Sequence, residues 1–182
     1  SSIGLIWNGS PILGSITVPY LKETYYGDPI NGSFCNGNSI KVSTTKKLID
    51  SLLCTGFAYD RHTRLDNNFA EFCWLTNKSR GVRRGGAAAV DLAFLASGKL
   101  DGYWERGLAK WDLAAGVAIA ENAGAFISDY QARPFDISSG RVIASTIGIK
   151  EELINELNMV NPLEGKFYGN PEISIIKQTI DN

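Results

Sequence analysis

The pattern of apolar residues changes near residue 80, and this change restricts the folds that the chain can adopt. Before it, short alternating segments are separated by turn signals such as Asn8-Gly9-Ser10, which is typical of antiparallel hairpins. After it, strands alternate with helices, and an Ala-rich helix at 87–97 has glycine at both ends. The pattern predicts a mixed α and β fold in two parts, an antiparallel sheet at 1–80 and an α/β unit at 81–182.

Apolar spacing and the positions of glycine and proline give the boundaries of the predicted elements. The part at 1–80 contains several strands and one short helix, so we expect one face of its sheet to be poorly covered. The predicted helices are at 67–78, 87–97, 111–123 and 148–159. The predicted strands are at 3–7, 11–18, 19–26, 33–38, 40–43, 52–57, 82–84, 100–105, 125–130 and 142–146.

The composition excludes several classes of protein. The 182 residues carry a formal net charge of −1, whereas sequence-independent nucleic-acid binding needs a clustered basic surface. No apolar run reaches the roughly 18 residues of a membrane-spanning helix, and no signal-peptide pattern opens the sequence. We therefore expect a cytoplasmic protein that binds neither nucleic acid nor a membrane.

The cysteine and histidine content narrows the chemistry further. Three separated cysteines, Cys35, Cys54 and Cys73, are typical of buried thiols in a reducing compartment. A zinc site of these thiols and the single histidine, His62, is a weaker alternative because no close-spaced ligand pair is present. One histidine without a GxSxG motif argues against a Ser-His-Asp hydrolase. An enzyme with this sequence would use carboxylates, backbone amides and a metal ion that prefers oxygen ligands.

Two segments combine small residues with the start of a helix. In Trp111-Asp112-Leu113-Ala114-Ala115-Gly116, the carboxylate of Asp112 lies among unpaired amides, where it either caps the helix or faces a ligand. The segment Gly85–Ala89 opens a helix without bulky side chains, which suits either an anion site or tight packing. Taken alone, each segment favours the structural role, and the second lacks a nucleotide-binding glycine motif.

Other carboxylates are weaker candidates. Glu105 ends a predicted strand, where it either faces a site or pairs with Arg106 in solvent. Nothing in the sequence distinguishes Asp91, Asp101 and Asp129 from surface carboxylates, so we expect them at the surface.

Taken together, these segments resemble the inositol monophosphatase family. The resemblance is carried by VRRGGAAAVDLAFLASGKLDGYWERGLAKWDLAAGVAIAENAGA at 82–125, in which WDLAAG is a specific element within the lithium-sensitive phosphatase superfamily. Upstream, SIGLIWNGSPILGSITVPYLKETYYG and GSFCNGNSIKVS are similar to the family's central hairpins. The match continues to the strand and helix at 142–157, so it covers essentially the whole chain.

The resemblance implies a fold, an activity and a set of site residues. The fold is α+β, a layered αβαβα sandwich of the sugar phosphatase type, and the activity is magnesium-dependent hydrolysis of a phosphate monoester. By resemblance, Asp112 is catalytic, ligates Mg²⁺ and contacts a substrate hydroxyl. Gly86, Ala87 and Ala88 match the segment whose backbone binds the substrate, and Glu105 matches the carboxylate that hydrogen-bonds hydroxyls of the sugar or inositol. Magnesium prefers oxygen ligands, activates water and neutralises the charge of a phosphate ester and its leaving group.

The sequence departs from the family in its other metal ligands. These lie upstream in the family, in GEE-type and DPIDGT-type elements, and neither element is present here. The segment Asp28-Pro29-Ile30-Asn31-Gly32 has asparagine at the second acidic position and follows the central hairpin. The resemblance therefore implies that the N-terminal helices and the first metal-ligand strands are lacking, and that 1–80 is the remainder of the first domain. Because one carboxylate cannot hold a magnesium cluster against hydration, we expect this chain alone to be inactive.

The resemblance favours hydrolysis of a monophosphate of inositol or a related small polyol or sugar, by a homodimer. One alternative is a sibling phosphatase that acts on fructose bisphosphate, histidinol phosphate or 3′-phosphoadenosine nucleotides. Another is a non-catalytic binding or regulatory protein on the same scaffold. Substrate choice would depend partly on loops such as 58–68, whose position the sequence does not give.

Overall fold

The computed structural model describes residues 1–161, which form two five-stranded sheets and four α-helices. The first sheet is an antiparallel meander with its strands in sequence order. Its strands are β1 Ser2–Trp7, β2 Ser10–Val18, β3 Glu23–Asp28, β4 Gly32–Cys35 and β5 Asn38–Ser39.

The second sheet is mixed. Its strands are β6 Leu52–Thr55, β7 Gly81–Arg83, β8 Gly102–Arg106, β9 Phe126–Ser128 and β10 Arg141–Ser145. They lie in the order β7-β6-β8-β10-β9, with β6 parallel to β7 and β8, and β10 antiparallel to β8 and β9. The helices are α1 Phe69–Lys78, α2 Ala88–Ala96, α3 Lys110–Asn122 and α4 Lys150–Met159.

The predicted helices all have observed counterparts, and every end lies within two residues of its predicted position. The prediction of a strand at 40–43 is wrong. Asn36 and Gly37 both adopt positive φ and form a tight turn, so the returning strand is already complete at Asn38–Ser39. The strand expected from residue 19 begins at Glu23, after a 3-10 turn that opens at Pro19. None of the helices in residues 1–161 is long and apolar enough to cross a membrane.

The elements are arranged in layers. Helices α2 and α3 lie between the two sheets, and α1 and α4 pack on the far face of the second sheet. On β8, Tyr103 points into the central core with α2 and α3, whereas Trp104 points into the outer core with α4. The described residues thus form four of the five layers of the predicted αβαβα sandwich, and the α+β class is confirmed.

Small residues allow α3 to lie directly on the first sheet. A methyl group at Gly4 would come within 2.5 Å of the backbone nitrogen of Ala115, and one at Gly14 within 2.5 Å of its carbonyl oxygen. Only glycine fits at such an approach. The helix is therefore held at a fixed distance from the strands, and its first turn has a defined position.

The opposite face of the first sheet carries exposed apolar side chains. Ile3 is 73% exposed and Trp7 is 64% exposed. Leu5 and Leu13 are directly opposite each other across β1 and β2, and both are exposed as well. The expectation of a poorly covered sheet face is confirmed, while the homodimer stays a prediction.

The chain passes from the first sheet to the second between Ser39 and Leu52. Strand β6 and helix α1 therefore belong with the second sheet, although they precede residue 80. The division of the chain into 1–80 and 81–182 stays a prediction. Residues 162–182 of its second part lie outside the described residues.

We expect Gly14→Val to destabilise the protein by about 1–3 kcal/mol, because the added side chain would overpack the contact with α3. Urea unfolding measures this change. Ser15→Val is the matched control, since it adds apolar atoms to the other face of β2 and should leave stability nearly unchanged. Equal midpoints for the two variants would show that the close approach is not tightly packed.

Candidate active site

A pocket of about 150 Å³ opens at one edge of the second sheet. The parallel strands β6, β7 and β8 end at this edge, and α2 and α3 begin beside it. In sheets with parallel strands, ligands bind at the carboxyl ends, where strand ends and helix N-termini meet. The position of this pocket follows from the topology of the sheet.

All five predicted site residues line this one pocket. Gly86, Ala87 and Ala88 surround the start of α2, Glu105 lies near the end of β8, and Asp112 lies in the first turn of α3. Three segments that are separate in the sequence thus converge at one place. The individual roles of these residues stay predictions.

Asp112 caps its own helix. The backbone N–H of Ala109, the residue before α3, donates to Asp112 Oδ2 at 2.9 Å. Because alanine has no side-chain acceptor, only the carboxylate half of a capping box is present. Within residues 1–161, Oδ1 accepts no hydrogen bond, and the side chain is half-buried at the pocket. Asp112 therefore does cap its helix, and this capping leaves its Oδ1 available to a ligand.

The donor set limits the metal that the described residues can hold. No group of three or more His, Cys, Asp or Glu side chains in residues 1–161 is placed to bind a metal ion. Asp112 fits Mg²⁺ as one oxygen ligand, but magnesium needs near-octahedral oxygen coordination. The described residues therefore do not complete a magnesium site by themselves.

The cysteines do not form the expected set of buried thiols. Cys54 is buried, whereas Cys35 is half-buried and Cys73 is exposed. Burial raises the pKa of the Cys54 thiol to about 12, and the nearby charge of Asp91 adds to this rise. Cys54 is therefore an inert thiol in the central core.

Glu105 is buried and does not pair with Arg106. Its Oε2 accepts a hydrogen bond from the Tyr103 hydroxyl. Burial raises the pKa of Glu105, and the Tyr103 hydrogen bond opposes that rise. A side chain at Gly56 would collide with this carboxylate, so the glycine after β6 makes room for it. The Tyr103 hydroxyl thus binds Oε2 from the protein interior, and the Glu105 carboxylate forms part of the pocket wall.

Asp91 lies beneath the start of α2, so the expectation of a surface position is wrong for it. A side chain at Gly85 would collide with Asp91 Oδ1, and the Asp91 carboxylate also accepts a hydrogen bond from the Ala87 amide. Burial raises the pKa of Asp91 to about 6, against the opposing effects of the Cys54 hydrogen bond and the Arg84 charge. Asp91 therefore organises the backbone that lines the pocket.

The surface expectation is also wrong for the other two aspartates. Asp101 accepts from the Ser43 hydroxyl at 2.5 Å and from the Leu52 amide at 2.6 Å, which ties β6 to the preceding segment. Asp129 accepts from the Arg133 amide at 2.8 Å and pairs with its guanidinium. Both carboxylates are buried because backbone amides satisfy them.

Several residues of the pocket were not identified from the sequence. Tyr59 and Arg61 reach it from the loop after β6, and Arg84 reaches it from the end of β7. The sequence shows Arg84 only as part of a basic pair, and it gives no position for a long loop. Their placement depends on contacts between distant segments.

A second groove, of about 350 Å³, lies between α1 and the end of α4. Its lining includes Cys73, Trp74 and Met159, and no residue in the lining is charged. It lacks the carboxylates and helix N-termini of the first pocket, so we place the chemistry at the first.

Comparison with known proteins agrees with this geometry. Residues 2–160 match the model of the inositol monophosphatase family. The chain belongs to the inositol monophosphatase family. Members of this family are metal-dependent phosphatases. A solved structure of inositol monophosphatase from Anabaena (Nostoc) has a TM-score of 0.87 and 48% identity, covering 89% of this chain and 64% of that chain.

The curated relatives of the chain include proteins named inositol-1-monophosphatase and proteins named Nus factor SuhB. The inositol-1-monophosphatase of Synechocystis is 47% identical over 156 residues, which are 86% of this chain and 54% of that protein. The Nus factor SuhB of Pseudomonas aeruginosa is 36% identical over 128 residues, 69% of this chain and 47% of that protein. The chain spans about half the length of the curated relatives it matches.

We expect Asp91 to make the stability of this inositol monophosphatase family chain depend on pH. Its pKa is about 6 in the folded state and near 3.8 when unfolded, so the folded state binds more protons between these values. The free energy of unfolding therefore falls as the pH rises from 3.8 to about 6, and Asp91→Asn removes this contribution.

Urea unfolding at a series of pH values measures this effect, with Asp50→Asn in an exposed turn as the control. The Asp91→Asn variant should gain stability relative to the wild type across the interval, whereas the control should follow the wild type. If the unfolding free energies of all three proteins changed in parallel with pH, the assignment of the pH dependence to Asp91 would be contradicted.

Proposed function

We propose that the protein hydrolyses a phosphate monoester of inositol or of a related small polyol, with Mg²⁺ as the metal and a homodimer as its assembly. The observation that carries this proposal is the convergence of Asp112, Glu105 and Gly86–Ala88 on one pocket. Because the chain spans about half the length of its relatives, the proposal concerns the whole protein that contains it.

The start of α2 suits the oxygen atoms of such a substrate. The first amides of a helix have no partner within the helix, and the helix dipole favours negative charge there. Gly86 has positive φ and no side chain, so a ligand can approach this backbone closely. We assign the binding of phosphate or adjacent hydroxyl oxygens to the backbone at Gly86, Ala87 and Ala88, with the Gly86 and Ala88 amides as donors because Asp91 accepts from the Ala87 amide.

Glu105 suits the polyol part of the substrate. Tyr103 occupies Oε2, which leaves Oε1 to accept a hydrogen bond from a substrate hydroxyl. A buried acceptor of this kind selects for a ligand that supplies the donor, because an unpaired buried carboxylate is costly. This residue therefore supports a polyol as the substrate class.

Asp112 supplies one oxygen ligand to the metal. When bound, Mg²⁺ would activate a water and neutralise the charge of the phosphoryl group and of the leaving alkoxide oxygen. The carboxylate is held in place by the Ala109 amide, so it does not need to be ordered when the metal binds. Residues 1–161 contain no group of three or more His, Cys, Asp or Glu side chains that would complete the metal site.

We expect Asp112→Asn in the complete enzyme to lower kcat by at least about 100-fold, since the charge at the metal is lost. Asparagine can still accept from the Ala109 amide, so the fold and its unfolding midpoint should be retained. Magnesium-dependent phosphate release from inositol 1-phosphate measures the effect. Asp136→Asn, at an exposed turn, is the matched control. A wild-type rate in the Asp112 variant would remove this residue from the site.

We expect Glu105→Gln to raise KM for inositol 1-phosphate about tenfold, because a charged hydrogen-bond acceptor is replaced by a neutral one. The magnesium concentration at half-maximal activity should be little changed. Steady-state kinetics over both concentrations separates the two effects. A weakened metal dependence with unchanged KM would contradict the assignment of Glu105 to the polyol.

A regulatory role on the same scaffold is the second candidate, since several relatives bear the name Nus factor SuhB. Magnesium titration and phosphate release by the complete protein distinguish the two. A complete protein that neither binds magnesium nor hydrolyses a monoester would favour the regulatory role.

A further inference from the structure

Two arginines are placed side by side on the second sheet. Arg106 on β8 and Arg141 on β10 are direct cross-strand partners, and Arg106 is only 4% exposed. Like charges directly opposite each other destabilise a sheet, and a buried charge needs an ion-pair partner. This pair of strands therefore requires negative charge from another part of the chain.

The loop at 56–68, which connects β6 to α1, supplies that charge. Asp66 lies between the two arginines, with its Oδ1 3.4 Å from Arg106 Nε and its Oδ2 in contact with Arg141. Asp60 accepts a hydrogen bond from Arg106 Nη1 at 3.3 Å. Two loop carboxylates thus bind Arg106, and one of them bridges the repelling pair.

The start of the same loop forms a wall of the candidate active site. The lining of the pocket includes Gly56–Tyr59 and Arg61. Asp60 pairs with Arg106 through Oδ1 and with Arg64 of the same loop through Oδ2. It lies between Tyr59 and Arg61 in the sequence, so fixing its side chain to β8 restricts the backbone of both neighbours. The loop is also fixed at its end, where Asn68 donates to Gly56 at 2.7 Å and accepts from Trp104 at 2.6 Å.

Strand β8 connects the two sides of this arrangement. Successive side chains of a strand point to opposite faces, so Glu105 faces the pocket while its neighbour Arg106 faces the loop. The strand that carries the proposed polyol acceptor therefore also carries the group that fixes the facing wall.

We propose that Arg106 is a positioning residue for substrate selectivity: by binding Asp60 and Asp66 it holds the 56–68 loop so that Tyr59 and Arg61 form the wall facing the polyol. This inference rests on the proposed function. The contrasting role is a surface ion pair that only stabilises the loop. The two differ in whether loss of the contact changes substrate affinity.

Limited trypsin digestion of the complete protein tests whether Arg106 fixes the loop, because Arg61 and Arg64 are cleavage sites within it. Arg106→Met should speed cleavage there at least about tenfold, since the buried guanidinium no longer binds the two half-exposed loop carboxylates. Arg106→Lys keeps the charge and should restore part of the protection. Arg133→Met, which breaks the distant pair with Asp129, is the matched control. Cleavage of the Arg106→Met loop at the control rate would overturn the proposal.

Kinetics of the same variants test selectivity. Arg106→Met should raise KM for inositol 1-phosphate about tenfold. For p-nitrophenyl phosphate, which has no polyol, both KM and kcat should change less than about twofold. Asp66→Asn removes the bridging charge from the loop side and should give the same split if Arg106→Met does not fold. If folded variants keep the wild-type ratio of the two KM values, for inositol 1-phosphate and for p-nitrophenyl phosphate, the positioning role is overturned. A complete wild-type protein that hydrolyses neither compound refutes the proposed function, and the selectivity role with it.

Discussion

The close packing of α3 against the first sheet is the constraint on which the rest of the structure depends. Gly4 and Gly14 place no side chain between the strands and the helix backbone at Ala115. On the other side, a side chain at Gly116 would collide with Leu92 of α2. The helix is held from both sides, so its first turn has one position relative to the start of α2.

That position brings unlike groups to one pocket. The start of α2 supplies the backbone at Gly86–Ala88, the first turn of α3 supplies the Asp112 carboxylate, and β8 supplies a buried carboxylate at Glu105. Charges at such a site are shielded from water and interact more strongly than at the surface. Asp91 and Tyr103 lie behind this surface and hold the groups that line it. The pocket is thus supported by residues that do not reach it.

Part of this arrangement could be predicted from the sequence and part could not. The helices were found to within two residues because their apolar periodicity and bounding glycines are local signals. The candidate site residues follow from the resemblance of WDLAAG and the glycine–alanine helix start to a family. Asp91 was expected at the surface, because its burial depends on Gly85 and Cys54, which contact it only after folding.

The sequence by itself determined the helices, most strands and the mixed α and β class, because periodicity and turn signals lie in consecutive positions. Its resemblance to a family is what marked Asp112, Glu105 and Gly86–Ala88 as candidates. Only the tertiary structure decided that these segments share one pocket, that the 56–68 loop forms its wall, and that Arg106 turns away from Glu105. Strand pairing and ion pairs join residues far apart in the chain, and their geometry is set by the packing of whole layers, which no local pattern contains.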